Sequence, residues 1–395
     1  MRIVVVASSF PRPDTASGDL RFATLLSLMA ARHQVVFCAV DARGNAKAPD
    51  DAAARLVAQG IELCRGSLAD LFARFDADVV WFEFYYQARP DYLRVLRHHC
   101  LRARVIVDSV DVHYNRLLAR AAVSGLPEDM ALAMSTKTKE LAAYARADLV
   151  VAVSNDDRDL LLQELPQAPV RVVPNVHEIP AYPDPQQRRH GELVFVGGFK
   201  HDPNVDAVLY FCREVLPLVV AEHPHVRTTI IGSNPPPEVR ALEGEHVDVV
   251  GYVPETAPYL RRACISIAPL RYGGGMKGKV GEAMSYGLPV VTTTIGAQGF
   301  GVVPGRELLV GDSAAAFAGA VVDLLRDGQL RERVARCGYA FISSHYSIPS
   351  VQRMLDDCLE QVVRLPPGPA PAAQRLGDSV RRFYRRHVEW RLPKA

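Results

Sequence analysis

A membrane-spanning run, a signal-peptide core and a strong net charge are all missing from this 395-residue sequence. No uninterrupted apolar run approaches the ~18 residues that a transmembrane helix requires. The apolar run at residues 3–7 is too short for the core of a signal peptide. The 46 Lys and Arg residues nearly balance the 44 Asp and Glu residues, and this net charge of +2 argues against a dedicated nucleic-acid binder.

Cysteine is scarce and scattered. The seven cysteines are odd in number, and none is spaced C-x-x-C. Such a set argues against a zinc ribbon and against a disulfide framework. With 49% hydrophobic residues the chain can bury sizeable cores, and its length favours two domains. We therefore expect a reduced, cytoplasmic, two-domain enzyme.

Short β-branched runs divide the chain into two halves of the same organisation. They lie at residues 3–7, 34–40, 78–84, 105–108, 149–154 and 170–174, and again at 193–196, 228–231, 247–250, 265–268, 290–293 and 308–311. Continuous apolar character is typical of strands buried on both faces of a parallel sheet, and helical stretches lie between them. We predict an α/β fold of two Rossmann-like, doubly wound domains that face a central cleft, where ligands are expected.

A proline-rich segment marks the boundary between the halves. Residues 179–190 contain three prolines and no apolar period, which is typical of a linker. We predict an N-terminal domain over residues 1–178 and a C-terminal domain over residues 191–345. A crossover helix is predicted at residues 346–363, and the C-terminal helices are expected to cross back to the N-terminal domain.

The last segment of the chain is strongly basic. Residues 364–395 begin with a proline-rich spacer and contain eight Lys and Arg against two acids. Apolar residues recur at helical spacing between arginines over residues 375–392. This pattern indicates an interfacial helix attracted to an anionic membrane surface. A basic helix docked on the N-terminal domain, or a solvated tail, is the alternative.

The most informative segment is the glycine-rich turn after the strand at residues 265–268. Three glycines, 273–275, precede Lys277 and Lys279, near which a helix is predicted to begin. Glycine lets backbone amides approach a ligand, and amides at a helix start attract anions. Glu282 lies behind the lysines, where its carboxylate can accept hydrogen bonds from ribose hydroxyls. The pattern indicates a nucleotide-phosphate site. A glycine turn with solvated lysines is the alternative.

At these residues the sequence resembles the donor-binding signature of retaining glycosyltransferases of family 4, which have the two-domain GT-B fold. Its Gly-Gly-Gly-Met-Lys-Gly-Lys form is similar to that of O-antigen and other surface-polysaccharide glycosyltransferases. Matching segments extend over about residues 1–360. They include the N-terminal loop around Gly18, the segment ending at Asn175, the opening of the second half at residues 195–204, and the base-recognition loop at residues 251–254.

The resemblance implies a set of residues that bind a nucleotide-sugar donor. These are Gly18, Gly198, Lys200, Asn204, Tyr252, Val253, Pro254, Gly274, Gly275, Met276, Lys277, Lys279 and Glu282. One position departs from the family pattern. The family often has two glutamates separated by seven residues, but Gly274 stands where the first would fall, so that contact with the donor sugar is not carried over.

His113 is a candidate catalytic residue outside the glycine-rich segment. It follows the strand at residues 105–108, at the carboxyl end that faces the expected cleft. The segment resembles the family's aspartate–histidine element, whose histidine contacts the donor sugar. An imidazole can hydrogen-bond a sugar hydroxyl or stabilise positive charge at the reacting carbon. A helix-capping or surface histidine is the alternative, and Asp111 is predicted to be an N-cap rather than a metal ligand.

The acceptor is expected on the N-terminal domain near Gly18, Asp19 and Arg21. Glu83 is a further candidate on the acceptor side, and a satisfied buried or rim glutamate is its alternative. We assign no metal and no cofactor, because Lys277, Lys279 and helix-start amides can stabilise a leaving diphosphate.

The predicted function is transfer of a sugar from a nucleoside diphosphate, UDP or GDP, to a hydroxyl of a glycan or lipid-linked glycan. His113, Lys277 and Glu282 are the candidate catalytic residues, and the resemblance implies retention of configuration. The expected location is cytoplasmic, with peripheral contact at the inner membrane face. A same-fold epimerase or phosphorylase and a two-lobed binding protein are the alternatives. A dinucleotide oxidoreductase is weaker, since residues 8–14 lack G-x-G-x-x-G.

Overall fold

The first half of the chain is built on a parallel sheet. The computed structural model describes residues 1–13, 17–273 and 275–365. Within them, seven strands lie in the order β3-β2-β1-β4-β5-β6-β7. They are β1 (Arg2–Ala7), β2 (Gln34–Ala39), β3 (Glu62–Leu63), β4 (Val79–Glu83), β5 (Arg104–Asp108), β6 (Leu149–Ala152) and β7 (Val170–Val172). Six were anticipated from their apolar runs, whereas β3 is too short to give a pattern.

The second half repeats this plan. In the part of the chain that the structure describes, its sheet has six parallel strands in the order β10-β9-β8-β11-β12-β13. They are β8 (Glu192–Val196), β9 (Arg227–Ile231), β10 (Val247–Gly251), β11 (Ile265–Ala268), β12 (Val290–Thr292) and β13 (Leu309–Val310). In both sheets the strand order reverses beside the first strand, and ligands bind at such switch points in open α/β sheets. The predicted fold of two Rossmann-like units is confirmed.

Helices cover both faces of each sheet. In the first half they are α1 (Ser17–Ala30), α2 (Ala53–Ala58), α3 (Leu68–Arg74), α4 (Pro90–His99), α5 (His113–Ser124), α6 (Pro127–Tyr144) and α7 (Asn155–Glu164). The second half contributes α8 (Asp202–Tyr210), α9 (Leu216–Glu222), α10 (Pro237–Arg240), α11 (Ala257–Arg262), α12 (Gly278–Ser285), α13 (Thr294–Ala297), α14 (Ala314–Arg326), α15 (Gly328–His345) and α16 (Ile348–Arg364). Short 3-10 turns lie at Tyr85–Gln87 and Pro185–Gln187, and a π-helical turn at Phe211–Val215 joins α8 to α9.

The last described helix, α16, belongs to the core of the first half. Its apolar face places Leu355, Leu359 and Val362 among buried side chains of the N-terminal sheet and of α1. Arg104 of β5 donates from Nη2 to the carbonyl oxygen of Leu365 at 2.7 Å, which ties down the end of the helix. The predicted return of the C-terminal helices to the N-terminal domain is thus confirmed, while the exact domain bounds stay a prediction.

The chain crosses between the halves at two adjacent segments. The backbone N–H of His177 donates to the carbonyl oxygen of Tyr346 at 2.9 Å, and His177 forms a parallel bridge with Ser347. Both crossings therefore lie side by side. None of the described helices is both long and apolar enough to cross a membrane. The predicted membrane-binding helix at residues 375–392 lies outside the described residues.

Candidate active site

The two halves meet at the carboxyl ends of their strands. The backbone N–H of Gly299, in the second half, donates to Oδ2 of Asp156 in the first half at 3.0 Å. The glycine-rich turn also reaches across, since a Cβ placed on Gly275 would lie 3.5 Å from Oδ1 of Asp111. The cleft predicted between the domains is therefore bordered by the glycine-rich turn on one side and by the segment after β5 on the other.

The start of α12 presents two lysines. Lys277 occupies the N-cap position, is buried, and donates from Nζ to the carbonyl oxygen of Gly275 at 2.5 Å. Lys279, in the first turn, donates from Nζ to Oδ1 of Asn204, and this Nζ lies 4.3 Å from the centre of the Phe195 ring. Two lysine amines and the backbone amides of the helix start thus share one end of α12, an arrangement that binds anions.

Glycines make room for this arrangement. The side chain of Asn204 is held by a hydrogen bond from Nδ2 to the carbonyl oxygen of Gly198 at 2.7 Å. A Cβ on Gly197 would lie 2.7 Å from Nζ of Lys279. The glycine pair after β8 therefore allows Lys279 to lie against the backbone. Asn204 therefore positions Lys279. Lys200, on the loop between β8 and α8, is exposed.

Burial governs the ionisation of both lysines. It lowers the pKa of Lys277 to about 8, against an opposing effect of Asp111 and Asp157. It lowers the pKa of Lys279 to about 7, and the neighbouring charge of Lys277 acts in the same direction. A bound anion would favour the charged form of each amine. The site is therefore suited to a phosphate group.

Glu282 joins this anion site to the loop after β10. The hydroxyl of Thr256 donates to Oε1 of Glu282, and burial raises the pKa of the carboxyl. Thr256 directly follows the loop in which Tyr252 and Pro254 are exposed and Val253 is partly buried. Glu282 thus connects the helix that carries the lysines to the loop that contains Tyr252. Gly274 lies outside the described residues, and Met276 packs into the apolar core beside α12.

His113 is the first residue of α5, at the N-terminal side of the cleft. Its Nδ1 lies 3.1 Å from the carbonyl oxygen of Asp111. The expected capping role of Asp111 is wrong, because the N-cap is Val112, which has no capping side chain. Instead the buried carboxylate of Glu140 on α6 accepts the backbone N–H of His113 at 3.1 Å and that of Tyr114 at 2.9 Å. This carboxylate lies 27 residues away, and tertiary packing alone brings it there.

The candidate acceptor residues occupy different environments. Asp19, partly buried at the start of α1 beside Gly18, accepts the backbone N–H of Arg12 at 2.9 Å. Arg21 is wholly buried, forms an ion pair with Asp108 at 2.8 Å, and donates to the carbonyl oxygen of Val173. Because its guanidinium is enclosed, the structure assigns Arg21 to holding α1 against the strand ends rather than to contact with an acceptor.

Several charged groups of the cleft were not anticipated. Arg116 follows His113 by three residues on the same helical face and donates from Nε to Oδ2 of Asp111 at 2.7 Å. His201 lies near Lys279, Arg116 and Lys277, and its pKa is lowered first by burial and then by these cations. Its position three residues after His113, on the same face of the predicted helix, was the sequence signal that could have identified Arg116. Among the described residues, no group of three or more His, Cys, Asp or Glu side chains is arranged to hold a metal ion.

The C-terminal half of the chain is similar to a known protein family. Residues 190–327 match the family model described as "Glycosyl transferases group 1". An uncharacterised 44.6 kDa protein in the cps region of Klebsiella pneumoniae is 25% identical over 168 residues. That match covers 40% of this chain and only 43% of the relative. The second half of the chain is thus similar to the domain that this family model describes.

Solved structures match over most of the chain. A glycosyltransferase from Rickettsia africae has a TM-score of 0.68 at 12% identity, covering 92% of this chain and 99% of its own. Sucrose-phosphate synthase from Thermosynechococcus elongatus has a TM-score of 0.67 at 16% identity, covering 91% and 98%. Anabaena HepE, solved in complex with UDP and glucose, has a TM-score of 0.62 at 15% identity, covering 91% and 100%. The fold is therefore GT-B, in which two Rossmann-like domains face a cleft.

Proposed function

We propose that this protein is a glycosyltransferase that moves a sugar from a UDP-sugar to a hydroxyl group of a glycan or lipid-linked glycan. The observation that carries the proposal is the arrangement at α12. Lys277 and Lys279 lie at the helix start, and Glu282 lies one turn further beside Thr256. UDP is chosen as the nucleotide because it is bound in the structure of Anabaena HepE.

The anion site would act on the leaving group. The bond between the anomeric carbon and the diphosphate breaks, with its electron pair passing to the phosphate oxygen. Lys277, Lys279 and the helix-start amides stabilise the charge that develops there, so no metal ion is needed. The acceptor oxygen bonds to the anomeric carbon, and its proton passes to the departing diphosphate. His113 faces the donor sugar, and the resemblance to family 4 supports retention of configuration.

The biological setting is also a proposal. The relative from the cps region of Klebsiella pneumoniae and the Gly-Gly-Gly-Met-Lys-Gly-Lys segment support assembly of a surface polysaccharide. A lipid-linked acceptor would suit the basic stretch at residues 375–392, which we propose contacts an anionic membrane surface.

Two variants separate the roles of the site. Because Lys279 contacts phosphate in this scheme, Lys279→Ala should weaken the binding of both UDP and pyrophosphate by about 10- to 100-fold, the range for a hydrogen bond to a charged group. Because Glu282 contacts ribose, Glu282→Ala should weaken UDP binding while leaving pyrophosphate binding unchanged. Isothermal titration calorimetry measures both ligands, and release of UDP from UDP-hexoses with a glycan acceptor measures transfer.

The matched control is Lys139→Ala, which removes an exposed lysine on α6. It should bind UDP and pyrophosphate as the wild type does. If Lys279→Ala kept full affinity for both ligands, the phosphate assignment would be wrong. Selective binding of GDP in place of UDP would overturn the choice of base while leaving the anion site intact.

A further inference from the structure

Three consecutive aromatic residues after β4 surround the imidazole of His113. The ring centres of Phe84, Tyr85 and Tyr86 lie 5.3, 5.4 and 6.2 Å from that of His113. Phe84 and Tyr86 are stacked on each other, with centres 5.2 Å apart and planes 13° apart. Tyr86 is 41% exposed, so this stacked pair, called here the aromatic platform, offers apolar ring surface to solvent.

The backbone under the platform is held in an unusual conformation. Phe84 has φ 64° and ψ 152°, a region that a residue with a bulky side chain rarely adopts. Its N–H donates to the carbonyl oxygen of Asp108 at 2.9 Å, and the next turn closes with the N–H of Ala88 on the carbonyl oxygen of Tyr85 at 3.1 Å. Strain of this kind concentrates where a side chain must be aimed at a ligand.

A buried carboxyl group lies at the base of the platform. Glu83, the last residue of β4, is 6% exposed and pairs in register with Asp108 of β5. Burial and the neighbouring Asp108 and Asp19 raise its pKa well above the ordinary value. Burying a polar group is costly unless it forms a hydrogen bond, and a ligand hydroxyl would supply one.

A chain of contacts through Asp111 and His113 links the platform to the glycine-rich turn of the anion site. The glycine-rich turn approaches Asp111, since a Cβ on Gly275 would lie 3.5 Å from its carboxylate. Asp111 in turn contacts His113, and His113 contacts the ring of Tyr86. A donor whose diphosphate occupies the lysines would therefore present its sugar beside His113, and a second molecule on the platform would lie next to that sugar.

We propose that the aromatic platform and Glu83 form an acceptor subsite that binds a hexopyranose ring. The C–H face of the sugar would stack on Tyr86, and a ring hydroxyl would hydrogen-bond to Glu83. A pyranose uses both features, because it has an apolar face and hydroxyls at its rim. An alkyl chain could not form a hydrogen bond with the buried carboxyl. This inference rests on the proposed function for its acceptor role, but the sugar binding itself does not.

Ligand-observed saturation-transfer NMR with methyl glucoside, galactoside and mannoside tests the site without any nucleotide. At least one glycoside should bind the wild-type protein, and Tyr86→Ala should weaken it about 3- to 10-fold, as expected for loss of an aromatic contact. Tyr86→Phe keeps the ring and should bind like the wild type. Leu218→Ala, which truncates an exposed apolar residue on α9, is the matched control and should have no effect.

Other outcomes overturn the proposal. It is wrong if Tyr86→Ala binds every glycoside as well as the wild type does, if no glycoside binds, or if dodecyl phosphate occupies the platform in their place. Glycoside binding that depends on Tyr86 in a protein that does not bind UDP would refute the proposed transfer reaction while leaving the sugar site standing. If UDP binds, Tyr86→Ala should raise the KM for a glycan acceptor and leave the KM for the donor unchanged.

Discussion

Lys277 and Lys279 combine burial with positive charge, and this combination makes the anion site sensitive to pH. A lysine in water keeps its proton throughout the physiological range. At α12, burial brings the pKa of Lys277 to about 8 and that of Lys279 to about 7. Both amines therefore lose their charge as the pH rises through these values, and an empty site carries less positive charge than the sequence indicates.

We predict that the affinity for UDP falls as the pH rises from 6.5 to 8.5. UDP binds the charged amines, while its terminal phosphate, with a pKa near 6, stays ionised over this range. Above the pKa of one lysine, loss of its proton should lower the affinity for UDP by about tenfold per pH unit. Calorimetry at several pH values measures the slope. Lys279→Arg keeps its charge and should flatten the profile. A constant affinity in the wild type would contradict the prediction.

At the scale of single elements, α12 depends on a contact with the crossing segment between the halves. Gly281 faces His177, and a Cβ at this position would collide with Nε2 of the imidazole. His177 is buried, its Nε2 has no hydrogen-bond partner among the described residues, and burial lowers its pKa to about 4. The helix that carries both lysines therefore packs against a histidine that is uncharged in the folded protein.

This contact predicts a loss of stability in acid. The unfolded chain binds a proton to His177 at a pKa of about 6.5, whereas the folded chain resists it until about 4. The free energy of unfolding should thus decrease by about 3 kcal/mol as the pH falls from 6.5 to 4. His177→Leu should reduce this dependence in chemical denaturation, and the exposed His225→Gln serves as the control. The prediction is wrong if both variants follow the wild-type profile.

At the scale of the whole molecule, α16 makes the N-terminal domain depend on the end of the described chain. Leu355 and Leu359 are fully buried among residues of β1, α1 and β5. Arg171 of β7 donates to the side-chain oxygen of Gln361 at 2.5 Å, which adds a polar contact at the rim. The first sheet therefore completes its core with residues that are synthesised after the whole second sheet.

Truncation of this face should destabilise the first half strongly. Leu359→Ala removes a buried side chain, and we expect the free energy of unfolding to fall by about 2–5 kcal/mol. Val363→Ala, on the same helix but at a position that is 38% exposed, should have a much smaller effect. Urea denaturation followed by circular dichroism compares the two variants. Equal effects would show that α16 contributes little to the core.

Much of the fold and part of the site follow from local sequence. Buried parallel strands need continuous apolar residues, so runs such as residues 34–40 and 265–268 revealed the two sheets. The glycine-rich turn, Lys277 and Lys279 were chosen as candidates because glycines after a strand and cations at a helix start are local signals of an anion site. The structure describes Gly275 and Lys277 at the meeting of the two halves.

Tertiary structure decided which charges are buried and which partners they meet. Glu140, rather than Asp111, caps α5, because α6 folds back on it. Arg21 is enclosed with Asp108, 87 positions away, and so holds α1 in place instead of contacting the acceptor expected near it. Composition and periodicity along the chain report which residues can form a strand or helix. Burial, pKa and hydrogen bonding depend on distant segments that come together only in the folded molecule.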